Sequence, residues 1–142
     1  MPDEILIATF SVWNNKGRTS INGMIEPLLS FFLPKSKKVD IIDGPHPGSN
    51  TVLTRFDNYT KIGLKQRSLS LISILLFPFL KIKNSNGTQI PFKLRDLLSV
   101  FEFIIRSKTK YDLFIGLESV YTIAGILLKK IGLIKTVAYY VS

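Results

Sequence analysis

Short apolar runs alternate with amphipathic stretches along this chain. Glu4 to Phe10 (EILIATF) is almost continuously apolar, the pattern of a strand covered on both faces. Ile21, Met24, Ile25, Leu28, Leu29 and Phe32 then recur at helical spacing. Pro27 interrupts that run, so the helix starts near Gly23 or is kinked, and Pro34 ends it. Val39 to Asp43 (VDIID) predicts a second strand, stopped by the turn residues GPHPG at 44–48. Thr51 to Phe56 alternates as an edge strand would, and Asp57 to Lys65 is polar enough for a loop. Leu69 to Leu80 is the most apolar stretch, with a polar stripe of Gln66, Ser70 and Ser73, and Pro78 ends its helix near Phe77. Asn84 to Gln89 is a turn. Phe92 to Arg106 is another helix, with Leu94, Leu97, Leu98, Phe101 and Ile105 expected inward.

The last part of the chain is the most regular. Tyr111 to Leu117 reads as a buried strand. Ser119 is the expected N-cap, and Val120, Ile123, Ala124, Leu127, Leu128 and Ile131 form an apolar helical face. Lys129 and Lys130 suit the negative end of the helix dipole, Gly132 stops the helix, and Thr136 to Val141 is a further strand. Strand, crossover helix and strand make a right-handed βαβ unit. The whole order predicts an α/β fold: a Rossmann-like, doubly wound, mostly parallel sheet with helices on both faces. At 142 residues the chain is expected to be one domain. The loop after the last strand, where a crevice is usually built, would follow Ser142, so the sequence reads as cut short.

Charge narrows the partners. The net charge is +9 on a chain that is 46% hydrophobic. Basic and apolar together point to an anionic membrane surface first, phosphorylated substrates second and nucleic acid third, with a merely solvated basic surface as the plain alternative. Nucleic acid is disfavoured because no concentrated basic helix or aromatic stacking face is evident. The Leu69–Leu80 stretch is too short to span a bilayer. It is either a helix buried against the sheet or one dipping into a membrane face, flanked by Lys61, Lys65, Arg67, Lys81 and Lys83. There is no cysteine, which excludes disulfides and thiol chemistry. The start MPDEILIATF does not fit a signal peptide, so the expected location is cytoplasmic or peripheral at the inner membrane face. The sequons at Asn58 and Asn86 then read as chance.

Few motifs carry chemistry. There is no P-loop and no G-x-G-x-x-G, and Gly17 and Gly23 lack the spacing that wraps a pyrophosphate. His46 stands alone in a Pro-Gly turn, so no metal site is expected. Asp40 and Asp43 fall on opposite faces of a strand, with Asp43 expected to cap the following turn. Two places remain. The loop containing Asn15, Lys16, Gly17 and Arg18 follows the first strand and would suit an anion or a sugar hydroxyl, or is simply a capped, solvated loop. Glu118 and Ser119 end the fourth predicted strand and line the same crevice if the two strands are neighbours, or serve only as a helix cap.

The segment DLFIGLESVYTIAGILLKKIGLIKTVAYYVS resembles the N-terminal domain of GT-B-fold glycosyltransferases of the retaining family-four class. Asp112, Glu118-Ser119, Gly125, Gly132 and Val137-Tyr139-Val141 carry the resemblance, and the opening EILIATFSVWNNKGRTSINGMIEPLL is similar to the first strand, acceptor-side loop and first helix of that family. The likeness covers about residues 4–32 and 111–142. It departs in having Gly17 alone where the family clusters glycines, and Ser142 where the family often has histidine. The family's C-terminal lobe, which holds most nucleotide-sugar contacts, has no counterpart. The resemblance implies the acceptor-binding lobe of a sugar transferase. Its acceptor would be a glycan or lipid-linked glycan, and its nucleotide-sugar donor would sit in the missing lobe or a partner chain. Asn15, Lys16, Gly17, Arg18, Glu118 and Ser119 are the candidate acceptor contacts; no cofactor is expected in this chain, and the residues single out no catalytic base. The alternative is a non-catalytic subunit that docks on membranes and recruits a catalytic partner.

Overall fold

The computed structural model describes residues 2–14, 17–20, 25–45, 53–60, 63–77 and 90–139. The fold is α/β and Rossmann-like. The elements in chain order are β1 (Glu4–Asn14), β2 (Gly17–Ser20), α1 (Ile25–Phe32), β3 (Lys38–Pro45), β4 (Arg55–Thr60), β5 (Gly63–Leu69), α2 (Leu71–Leu75), α3 (Ile90–Ser107), β6 (Tyr111–Gly116), α4 (Ser119–Lys130) and β7 (Ile134–Tyr139). They form one mixed sheet in the order β5-β4-β3-β1-β6-β7, with β2 paired to β1. The strands β3, β1, β6 and β7 are mutually parallel, and β4 and β5 extend the sheet as an antiparallel hairpin.

The strand period of two assigns the core. Ile5 and Ile7 face α1 and pack with Ile25, Leu29, Phe32, Val39 and Ile41. Leu6 and Ala8 face the other way, toward Val100, Phe103 and Ile104 of α3 and Tyr121, Ala124 and Leu128 of α4. Helices therefore cover both faces, and β1 is sandwiched between them. The β1-to-β3 crossover moves one way over the α1 face. The β6-to-β7 crossover moves the opposite way over the α4 face, so both connections have the same hand. Pro27 is accommodated in the first turn of α1, where a missing N–H costs nothing.

Several local expectations are corrected. Residues 11–14 and 17–20 are strand rather than loop: β1 runs on to Asn14 and pairs antiparallel with β2, placing Trp13 opposite Arg18 and Asn14 opposite Gly17. The third expected strand lies later, at Arg55–Thr60, and residues 63–69 form a strand missed by their polarity. Gly44 and Pro45 belong to β3 rather than to a turn, and Asp43 is a buried strand residue. His46 and Asn86 lie outside the described residues. Among the described residues, the stretch from Leu69 makes a one-and-a-half-turn helix at Leu71–Leu75, whose Leu71, Ile74 and Leu75 are exposed rather than buried against the sheet.

Both long helices are rotated from their expected facing. In α4 the buried positions are Tyr121, Thr122, Ala124, Gly125 and Leu128, while Ile123, Leu127 and Ile131 are exposed. The small residues decide this: a Cβ on Gly125 would sit 2.6 Å from the Phe114 ring, so only glycine lets the helix approach β6 this closely. In α3 the buried positions are Arg95, Asp96, Ser99, Val100, Phe103 and Ile104, with Leu94 and Ile105 exposed. Among the described residues no helix is long and apolar enough to cross a membrane.

Candidate functional site

The two crossovers diverge between β1 and β6, which are hydrogen-bonded neighbours from Ile5↔Leu113 to Ala8↔Gly116. A crevice opens in such sheets at the carboxyl ends of the strands flanking that divergence. Here those ends are Thr9 and Phe10 on one side and Leu117 and Glu118 on the other, joined by the Leu117 N–H donating to the Ala8 carbonyl at 3.0 Å. Gly17, Arg18, Glu118 and Ser119 thus belong to one edge of the sheet. Gly17 and Arg18 stand on the β1–β2 hairpin, and Asn15 and Lys16 lie outside the described residues.

Glu118, not Ser119, caps α4. Its Oε2 accepts the N–H groups of Val120 at 2.9 Å and Tyr121 at 3.4 Å, and Ser119 donates its hydroxyl to Oε1 at 2.9 Å. The carboxylate satisfies donors that no helical carbonyl can reach and sits at the positive end of the helix dipole. Thr122 donates to the Glu118 carbonyl, closing the turn. A Cβ on Gly116 would lie 2.2 Å from Thr122 Oγ1, so the strand must end in glycine for α4 to begin here.

Beneath this edge lies a network that sequence reasoning missed. Arg95, 2% exposed, directs Nε and a terminal nitrogen at Asp96 Oδ1, 3.0 and 2.9 Å away, and donates to the Pro45 carbonyl at 3.4 Å. Tyr121 donates its hydroxyl to the same Asp96 oxygen at 3.3 Å. The Tyr121 hydroxyl occupies the place of a Gly44 side chain, where a Cβ would be 2.1 Å away, and its ring lies 5.0 Å from that of Phe10. The ends of β1 and β3, the start of α3 and the first turn of α4 are thereby locked together. Burial pushes the Asp96 carboxyl up to about 6; Arg95 opposes this and the Glu118 charge adds to it. Burial and Asp96 hold the Tyr121 phenol well above its ordinary value. At 3% exposed, Asp96 is a support beneath the crevice and not a group a substrate touches. The signal that would have found it is a polar pair, Arg95-Asp96, continuing the helical face of Ser99, Val100 and Phe103.

A cleft lies at the opposite, amino edge, on the α3 face. It measures ≈ 350 Å³ and is lined by Lys38, Asp40, Asn58, Lys65, Gln66 and Arg106, among others. Its cations are largely neutralised. Lys38 Nζ is 3.5 Å from Asp40, and Arg106 is 2.9 Å from Glu102. Asp40 is fully buried and also accepts from Asn58 at 2.8 Å and from the Tyr111 hydroxyl. Among the described residues no group of acids and histidines could hold a metal ion. No family model matches the sequence, and no curated protein or solved structure gives a match.

Proposed function

We propose that this chain is the acceptor-binding domain of a sugar transferase and works with a separate donor-binding lobe. The observation that carries the reading is the divergence of crossovers at β1 and β6, which puts the β1–β2 hairpin and the Glu118-Ser119 cap at one sheet edge. A sugar acceptor needs hydroxyl-orienting polar groups on a rigid frame, because positioning supplies much of the barrier lowering in group transfer. The Arg95–Asp96–Tyr121 lock supplies that frame. Gly17, Arg18, Glu118 and Ser119 are the proposed contacts within the described residues, with Asn15 and Lys16 joining them from the sequence reading. The nucleotide-sugar donor belongs to the other lobe, so the chain alone binds acceptor without turnover. Titration of the isotope-labelled protein with a panel of oligosaccharides and lipid-linked glycans tests this. Amide shifts confined to residues 9–20 and 117–122 support it. Shifts elsewhere, or none with any glycan, remove it. A docking module without transfer chemistry is the second reading, and it draws on the opposite edge of the sheet.

A further inference from the structure

The three helices that lead into parallel strands, α1, α3 and α4, all end at the amino edge, and they end alike. Phe31 in the last turn of α1 is 51% exposed and is followed by Lys35 and Lys37. Ile105 near the end of α3 is 72% exposed and is followed by Lys108 and Lys110. Ile131, the C-cap of α4, is 65% exposed and is preceded by Lys129 and Lys130. Lysines near helix carboxyl ends answer the helix dipole. The dipole gives no reason for a large apolar side chain to stand in solvent beside each pair. Nor do these six lysines have an acidic partner among the described residues, whereas Lys38, Arg106 and Lys135 at the same edge do. Besides Asp40 and Glu102, which hold Lys38 and Arg106, the acids there are Asp3, Glu4 and Asp112, and Asp112 is occupied by two backbone N–H groups and Lys135. Lys108 moreover holds φ at +52°, a left-handed conformation that glycine would adopt without cost.

We propose that the amino edge is a docking surface for an anionic lipid bilayer. Phe31, Ile105 and Ile131 enter the headgroup region while the lysines meet lipid phosphates. The polar cleft beside Lys38 and Lys65 lies at the same edge and has room for a headgroup. A second copy of the chain is disfavoured, since a two-fold contact would set lysine against lysine. A nucleic acid has no use for exposed isoleucines, and Lys35 already sits 4.1 Å over the Phe31 ring, where a base would stack. The inference is independent of the sugar-transferase reading, because it is tested without saccharide.

Flotation of the chain with mixed phosphatidylcholine–phosphatidylglycerol vesicles, and with pure phosphatidylcholine vesicles, is the test. Binding to the mixed vesicles only, weakening as salt is raised, is expected. The Phe31→Ser/Ile105→Ser/Ile131→Ser variant should bind about tenfold more weakly or worse, at an unchanged melting temperature, since all three side chains are exposed. Lys129→Glu/Lys130→Glu gives a second, independent reading and should also release the chain. Three outcomes overturn the proposal: no binding to mixed vesicles, self-association in place of vesicle binding, or binding that the triple serine variant retains and duplex DNA competes away.

Discussion

Arg95 and Asp96 show how much one residue pair can hold. Each is almost fully buried, so each depends on the other. Arg95→Ala strands a buried carboxyl and should cost about 3–5 kcal/mol in urea unfolding. The pH dependence has a definite sign. Folding raises the Asp96 pKa from 3.8 to about 6, so the folded protein keeps a proton that the unfolded chain releases. This carboxyl's contribution to stability is therefore fully present below about pH 4 and is lost as pH rises through about 6, by roughly 3 kcal/mol. The wild type's stability relative to Asp96→Asn should fall by that amount across the window. A flat difference between the two proteins would show that Asp96 titrates normally. Gly44 is constrained in a different way. Gly44→Ala forces a Cβ onto the Tyr121 hydroxyl and should cost about 1–3 kcal/mol, most of it recovered in the double variant with Tyr121→Phe.

At the level of elements, α2 is too short to stand by itself and is held by one side chain of α3. Glu102 accepts from Ser70 Oγ at 2.7 Å and from the N–H groups of Leu71 and Ile72 at 2.9 Å each, while Arg106 closes the far side at 2.9 Å. Burial alone would raise this carboxyl, but the hydrogen bonds from Ile72, Ser70, Leu71 and Arg106 outweigh it, and its pKa is held below the usual value. Its stabilisation is thus present above the unfolded pKa and lost as pH falls through the lowered one, opposite to Asp96. Glu102→Ala should cost about 1–3 kcal/mol and speed hydrogen exchange at Leu71 and Ile72 while leaving β1 protected. Protection lost equally throughout the sheet would mean that α2 is no separate unit. The ends of α3 and α4 make a contrast. α4 closes with Gly132 at φ +84°, its N–H bonded to the Lys129 carbonyl at 3.1 Å and that of Leu133 to Leu128 at 3.0 Å. This double bond is the usual glycine stop. α3 closes with Lys108 in the same backbone region, so Lys108→Gly should gain up to about 1 kcal/mol in thermal unfolding. It should also weaken vesicle binding, and a loss of stability would refute the backbone argument.

Across the whole molecule, the parallel strands separate two edges of opposite character. The carboxyl edge holds Asp43, the buried Arg95–Asp96 pair and the Glu118 cap, with Gly44 and Gly116 placed for close approach. The amino edge carries six lysines without an acidic partner among the described residues and three exposed apolar side chains. If the amino edge rests on a bilayer, the proposed acceptor edge faces away from it, one strand length off, or roughly 20 Å at about 3.3 Å per residue. Glycan-induced amide shifts at the carboxyl edge should then persist when the chain is bound to vesicles, and their disappearance would place both activities on one surface.

The local pattern of this chain determined its parallel strands, the glycine stop after α4 and the α/β layering, because apolar periodicity and terminator chemistry act over a few residues. The adjacency of β1 and β6 was left conditional, and pairing decided it. Polar strands such as β2 and β5 were illegible for a related reason: their stability comes from the ladder they join, not from their own side chains. The facing of α3 and α4 was also beyond the pattern. The choice fell to what could approach closely, Gly125 against Phe114, and to what could be neutralised, Arg95 against Asp96. The two opposed edges are likewise tertiary facts, since they join residues far apart in the chain whose only common property is the end of the sheet at which they stand.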